Sequence, residues 1–389
     1  MNYGGSVLLE KEAISQKQAI IIMSTFIIGS SAILGSGTKA KQDIWIATII
    51  AMVMASLIYI VYGRISSLFP GKNIYEIMDV LFGKVLSKIF LLSFIFYAFS
   101  LGALVIRNFS EFVRIVSLPE TPLCIFAFSA VIINIWAVRG GIELLGRFLS
   151  IFFPVYIIMI ISVTLLSISL FNFDNLKPVL YDGINPVLSA SFSIFTFPFA
   201  EVVLFLCLLG NLRKNSSVYK VYYRSLLIAG TLLLIVSVRS TLVLGIPGKM
   251  LQNFPTYAST RIIRIGNFLQ RIEASVAIVF MISGFTKSTV CLYSSTKGLA
   301  HLFNIKDYRR LAMPLGILMA LYSIIIHEDA VKMLEWASKI YPYYAILHQI
   351  IIPVIVWIVA EIKTLISNKN NTTKDGGSEN AAVPESGNL

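Results

Sequence analysis

The chain is short of charge. Asp, Glu, Lys and Arg make up only 13% of its 389 residues, against about a quarter in an ordinary soluble domain. That excludes a water-soluble globule of this size. Cysteine is scarce as well. Cys124, Cys207 and Cys291 lie in apolar runs and share no metal-type spacing, so they read as small core residues. Three histidines, His301, His327 and His348, are scattered near the expected membrane edges. No metal or nucleophile constellation forms from them, no catalytic set appears, and no cofactor is expected. Residues 1–15 carry Glu10 and Glu12 and lack a cleavable signal pattern, so the first apolar run itself would direct insertion.

What is present is hydrophobic length. The composition is 57% hydrophobic, and apolar runs of roughly 20 residues, each long enough to cross a bilayer, recur from end to end. A β-barrel would instead alternate in segments of roughly ten residues; here runs such as 225–238 and 350–360 are continuous. The net charge of +12 does not point to nucleic acid, because Lys and Arg cluster in short loops between spans, where topology requires them. The expected fold class is an all-α polytopic membrane protein.

Ten spans are expected at 16–38, 44–68, 84–112, 122–138, 144–169, 186–211, 219–244, 271–297, 309–327 and 341–365. Residues 1–366 form one transmembrane domain. The polar, Gly/Asn/Ser-rich residues 367–389 read as a disordered tail, and 245–270 as a long loop with an amphipathic helix near 260–268. With the N-terminus inside, the inner segments collect Arg64, Lys72, Arg139, Arg147, Arg213, Lys214, Lys297, Arg309 and Arg310 among others. This bias places both termini on the cytoplasmic side. Five spans followed by five, an odd number in each half, imply an inverted repeat.

Two spans are interrupted, and they are the first of each half. One break is Gly29-Ser30-Ser31, with Gly35 and Gly37 behind it; the other is Thr196-Phe197-Pro198, with Glu201 close after. A break in hydrocarbon is costly unless the freed backbone groups find partners, and paired breaks in two half-repeats point to a transporter-type binding site. The N–H groups at a half-helix start favour a carboxylate, and the carbonyls at a half-helix end favour an ammonium or a cation. A site with both suits a zwitterionic amino acid. The competing reading is that Gly and Ser merely allow close helix packing.

Glu201 lies ten residues before Asn211, so roughly 15 Å from the inner end of its span. Lys287 lies ten before Lys297 in a span running the same way. Gly29 is at a similar level, about 20 Å along its own span from Gln16. Buried ionisable groups in a bilayer default to a functional hypothesis with a named partner. Glu201 and Lys287 could form a structural ion pair; Glu201 could accept protons or sense a ligand; Lys287 could stand where a coupling cation would otherwise sit. Tyr97 faces either the site or a neighbouring helix. Arg107 and Glu111, four apart, read as a local ion pair, and Arg239, near the outer end of its span, as able to snorkel.

Four stretches resemble one family. They are Phe69-Pro70-Gly71-Lys72-Asn73 with Phe82-Gly83-Lys84; Arg139-Gly140-Gly141-Ile142-Glu143 with Arg147; Phe197-Pro198-Phe199-Ala200-Glu201-Val202-Val203; and Arg271-Ile272-Glu273 with Gly284-Phe285-Thr286-Lys287 and Tyr293. In order and spacing they resemble the B subunits of endospore germinant receptors, the spore permeases of the amino acid–polyamine–organocation superfamily. The resemblance spans residues 14–366. It implies a LeuT-type 5+5 inverted repeat with broken first and sixth helices, and location in the spore inner membrane. It also implies assembly with an A subunit and a lipoprotein C subunit, and binding of a small germinant, often an amino acid, without enzymatic chemistry. Carried over, the pocket would be lined by Gly29, Ser30, Ser31, Tyr97, Thr196, Pro198 and Glu201, with Lys287 nearby. Only Pro198, Glu201 and Lys287 rest on matched motifs. The first break lacks the compact Gly-x-Gly loop common in transporters of that superfamily. A cation-coupled amino-acid or amine transporter is the alternative function.

Overall fold

The computed structural model of the chain describes residues 12–35, 37–263 and 272–378. Among the described residues, ten helical segments are long and apolar enough to cross a membrane: Gln16–Leu34, Thr38–Leu68, Val85–Val116, Leu123–Gly140, Ile142–Leu170, Ile184–Asn211, Val218–Met250, Glu273–Leu302, Tyr308–Ile325 and Tyr341–Ile366. These follow the expected spans within a few residues at most ends.

The first half opens with helix α1, Gln16–Ile28, started by a reciprocal cap in which Gln18 N donates to Ser15 Oγ and Ser15 N to Gln18 Oε1. It stops at Gly29 and resumes as one turn, α2, Ser31–Leu34. A 3-10 segment, Thr38–Asp43, leads into α3, Ile44–Leu68. Asn73 caps α4, Ile74–Val116, by accepting from the amides of Tyr75 and Glu76. The stretch before the third span, expected as a loop, is therefore largely helical, and a left-handed Gly83 marks where the membrane segment begins. Helices α5, Leu123–Gly140, and α6, Ile142–Leu166, complete the half.

The second half repeats the plan. Helix α7, Ile184–Thr196, ends at an extended Phe197. Beyond Pro198 the span continues as a 3-10 segment, Phe199–Leu204, then α8, Phe205–Leu208, and a last 3-10 turn, Leu209–Asn211. Helix α9, Val218–Met250, bends at a left-handed Gly245. A short helix, α10, Pro255–Arg261, follows; most of the amphipathic helix expected near 260–268, and Arg271 of the fourth motif, fall on residues 264–271, which are outside the described residues. Next come α11, Glu273–Leu302, and α12, Ala312–Ile325. An unanticipated α13, Ala330–Lys339, is capped by Asp329. The tenth span is α14, Tyr341–Ile346, a π-helical turn, Leu347–Ile351, and α15, Ile352–Ser378. The last helix thus carries on into the polar stretch expected to lack structure; residues 379–389 are outside the described residues.

The two broken spans lie side by side at the centre, with α4 packed along α11 and α3 against α9 around them. Large apolar side chains such as Ile132, Trp136, Ile151 and Leu227 point outward, where hydrocarbon is an adequate solvent for them. The interior instead holds small and hydroxylated residues, including Ser24, Thr25, Ser283, Thr286 and Ser294, which let helices approach closely. Most bond their own helix, as Thr25 Oγ1 does to the Ile21 carbonyl (2.8 Å) and Thr286 Oγ1 to that of Ile282 (2.8 Å).

Candidate functional site

The backbone groups freed by the two breaks find protein partners. At the first, Ser31 Oγ turns back to the carbonyls of Ile27 (3.0 Å) and Ile28 (3.1 Å), and Ser283 Oγ of α11 donates to that of Gly29 (3.1 Å). At the second, Gln349 Nε2 donates to the Thr196 carbonyl (2.8 Å), Tyr59 Oη to that of Phe199 (2.8 Å) and Tyr62 Oη to that of Ala200 (3.3 Å). In this conformation those carbonyls are engaged by side chains of α2, α3, α11 and the tenth span.

Glu201 and Lys287 meet at the junction of the breaks. Both are 0% exposed, and Lys287 Nζ bonds Glu201 Oε2. The other carboxylate oxygen accepts from Tyr341 Oη. Tyr341 Oη lies 3.3 Å from Tyr97 Oη, which accepts from Gln349 Nε2 at 2.9 Å. One network therefore runs Lys287–Glu201–Tyr341–Tyr97–Gln349–Thr196 and ties together the third, sixth, eighth and tenth spans. The ammonium also sits 4.6 Å from the Phe197 ring centroid and 5.3 Å from that of Phe26, within cation–π range. Gly29 has φ +30°, and a Cβ there would lie 2.7 Å from Lys287 Cδ and 2.7 Å from the Phe26 carbonyl oxygen. Only glycine allows the lysine stem to pass.

Of the eight residues expected to line a pocket, Gly29, Tyr97, Thr196, Glu201 and Lys287 are thus brought together, and Pro198 is buried between Thr196 and Glu201. Ser31 has its hydroxyl turned into its own helix, whereas Ser30 Oγ is buried with no hydrogen-bond partner. Tyr97 faces the site rather than only a neighbouring helix. Tyr341, Gln349, Phe26, Tyr59 and Tyr62 were missed, and Phe197, named in the second break, was not among the expected lining residues. An amide inside an apolar run could have flagged Gln349 by the rule that flagged Glu201. Two expectations are corrected. His348 is not at a membrane edge: it is buried, stacks on Tyr97 with ring centroids 4.7 Å apart, and places Nε2 2.9 Å from Ser93 Oγ. Arg239 does not reach water; it is 2% exposed, because α10 packs against α9 and α11. Arg107 and Glu111 do pair, at 2.8 Å, and Arg107 also caps the carbonyls of Ser323 and Ile324.

The pair is closed off at both ends of the bundle. A 660 Å³ vestibule lined by Leu34, Phe197, Lys249, Pro255 and Leu334 reaches down to Phe197, whose ring lies against Lys287. At the opposite end, Glu12 accepts from Tyr293 Oη (3.0 Å), Tyr308 Oη and Arg309 Nη2 (3.2 Å). The segment just before α1 is zipped to the end of the sixth span, with Ile14 N donating to the Asn211 carbonyl and Arg213 N to that of Ile14. Chemically, the centre offers one anion and one cation, mutually neutralised and shielded from water. A zwitterion could exchange this one pair for two.

Comparison with known proteins agrees with this architecture. Residues 13–331 match the spore permease family, described as Spore germination protein. Spore germination protein KB of Bacillus subtilis (strain 168) is 30% identical over 356 residues, 90% of this chain and 95% of that protein. Spore germination protein YndE of the same organism is 24% identical, covering 72% of this chain and 76% of its own; spore germination protein A2 is 23% identical, covering 85% and 90%. Among solved structures, MhsT in complex with L-phenylalanine superposes with a TM-score of 0.61 at 12% identity over 90% of this chain and 99% of its own. The nucleobase-cation-symport-1 family transporter Mhp1, in a closed conformation with bromovinylhydantoin bound, does so with 0.60 at 13% identity over 84% and 75%. The fold is therefore the LeuT-type inverted repeat, and the chain belongs to the spore permease family of spore germination proteins.

Proposed function

We propose that this chain is the B subunit of a germinant receptor in the spore inner membrane, with both termini cytoplasmic and with an A subunit and a lipoprotein C subunit as partners. It would bind a small nutrient, an amino acid, at the Glu201–Lys287 centre. The observation that carries this reading is the buried ion pair at the meeting point of two helix breaks, beneath a vestibule that ends at Phe197. A zwitterion entering there would give its ammonium to Glu201 and its carboxylate to Lys287. The network through Tyr341, Tyr97 and Gln349 would then pass the change to two further spans, the third and the tenth. Signalling, not enzymatic turnover, is the output.

The alternative, cation-coupled transport, draws support from the transporter fold. Against it, Lys287 already supplies a fixed positive charge at the centre, and fold alone does not decide function. Spores lacking this chain, challenged with amino acids, nucleosides and salts, should lose the response to one nutrient class. The purified chain in proteoliposomes should not concentrate that nutrient. Robust concentrative uptake by the chain alone would overturn the receptor reading in favour of the transporter.

A further inference from the structure

A groove of 340 Å³ opens sideways from the bundle between α4, α5, α6 and α11. Its rim carries Ile133, Trp136 and Met281, which are 53%, 64% and 42% exposed, so the mouth faces hydrocarbon. Its floor is buried and includes Ala137, Leu145 and Gly284. The space is open at the level of single atoms: a Cβ on Gly284 would meet nothing within 4 Å, whereas one on Gly298 of the same helix would lie 2.5 Å from Ile95 Cγ1. The wall asks for no polar guest. Asn134 Nδ2 donates to Ser288 Oγ (2.9 Å) and Asn134 Oδ1 accepts from Thr289 Oγ1 (3.1 Å), and neither Asn134 nor Ser288 leaves a buried polar atom unpartnered.

Empty space of this kind forfeits dispersion contacts along its lining, and in a bilayer an apolar filler is at hand. Size selects it. An α-helix is about 10–12 Å across, so a single turn of about 5.4 Å occupies roughly 420 Å³ or more. A partner's span can lie across the mouth but cannot enter. An apolar cavity of about 150 Å³ takes benzene, a six-carbon ring, so 340 Å³ accepts about a dozen carbons of a linear chain. Charge selects the headgroup. Arg139 is exposed in the last turn of α5, three residues and about 4.5 Å of helix beyond Trp136. An indole on the rim followed by a cation is the order of groups at a membrane–water interface, and a guanidinium there suits a lipid phosphate.

We propose that this groove is a phospholipid site: one acyl chain, from the leaflet on the Arg139 side, fills it, and Arg139 holds the phosphate. The consequence reaches the centre of the bundle. Gly284, Phe285 and Ser288 border the groove. The same two turns of α11 carry Ser283, which donates to the Gly29 carbonyl, and Lys287, which bonds Glu201. The acyl chain therefore backs the stretch of helix that positions the ion pair. This inference is independent of the germinant reading.

The test uses phosphatidylglycerol with a diazirine in mid-chain, supplied to the purified full chain in lipid nanodiscs, with the photolabelled residues mapped by mass spectrometry. Any bilayer lipid can label the rim; only a chain inside the groove can label Ala137 and Leu145 on the floor. Floor labelling is expected in the wild type. It should be at least tenfold weaker in Gly284→Leu, whose side chain would fill the groove, with rim labelling kept. Should Gly284→Leu fail to fold, Ala130→Phe, on the partly buried wall, carries the test. Arg139→Gln should weaken floor labelling at least threefold, and an unchanged level would strike Arg139 from the site. Labelling confined to the rim, or floor labelling unchanged in Gly284→Leu and Ala130→Phe, would overturn the lipid site. Floor labelling that vanishes in spore membranes would assign the groove to a partner instead.

Discussion

Neutralising the central pair one member at a time, and then both together, separates a structural bridge from a binding device. Glu201→Gln keeps an acceptor for Tyr341 but leaves the Lys287 ammonium without its anion, and Lys287→Met does the converse. Each single change strands a charge in a site with 0% exposure for both partners. Stranding one member of a buried pair costs about 3–5 kcal/mol, a fifth or more of a typical total stability of about 5–15 kcal/mol. Both single variants should therefore be scarce in spore membranes and melt early. The double variant replaces the pair by neutral groups of similar size, a change that is often neutral or stabilising. Its abundance and Tm should recover to near wild type, far short of the roughly 6–10 kcal/mol sum of two independent losses. Immunoblots of spore membranes and thermal unfolding of the purified chain measure this. Germination, followed by loss of optical density, then decides the matter. If the pair receives the nutrient, the double variant is abundant and unresponsive. A double variant that is abundant and germinates like wild type would refute the binding role of both residues.

Glycine replacements should divide by the space available. Gly298→Ala would bring a Cβ within 2.5 Å of Ile95 Cγ1 and should lower Tm, and Gly29→Ala should do the same by displacing Lys287. Gly284→Ala meets nothing within 4 Å and should leave Tm unchanged or raise it, since alanine is favoured by about 1 kcal/mol within a helix. Phe197→Ala should open the vestibule floor, seen as faster labelling of Cys291 by an external thiol reagent in a Cys124→Ser/Cys207→Ser background; an unchanged rate would show that the phenylalanine is no barrier. His327, just outside the ninth span, has its imidazole pKa held below the ordinary value by burial and by the charge of Arg107. The unfolded chain therefore takes up a proton first as pH falls. Stability should be full above the ordinary histidine range and decline as pH drops through it. Tm measured from pH 7.5 to 5 should fall less steeply in His327→Gln.

Much of the site could be read from residue types because rarity is informative inside a bilayer. A carboxylate and an ammonium in apolar runs stand out singly, and counting residues along straight helices puts Glu201, Lys287 and Gly29 at one depth. The breaks were legible for the same reason, since Gly-Ser-Ser and Thr-Phe-Pro are poor spanning sequence. The aromatic and amide partners were not. Tyr59 and Tyr62 sit in an apolar helix where they are indistinguishable from packing residues. Gln349 and His348 reach the centre through the π turn Leu347–Ile351, an extra residue that no 3.6-residue periodicity anticipates. Arg239 was misjudged because depth was counted to the helix end. Neither the bend at Gly245 nor the cover of α10 is visible in that count.

The 3-10 winding of residues Phe199–Leu204 gives the sixth span a store of length. A 3-10 helix advances about 2.0 Å per residue and an α-helix about 1.5 Å, so rewinding these six residues would shorten the segment by about 3 Å. Each residue would also turn through about 100° instead of about 120°, which swings Glu201 by about 40° relative to Phe199. Either displacement exceeds what the bonds from Lys287 and Tyr341 can follow. A change of pitch inside one span would therefore be enough to uncouple the carboxylate from both partners, and it would draw Val187 and Asn211, near the two ends of that span, together by about 3 Å.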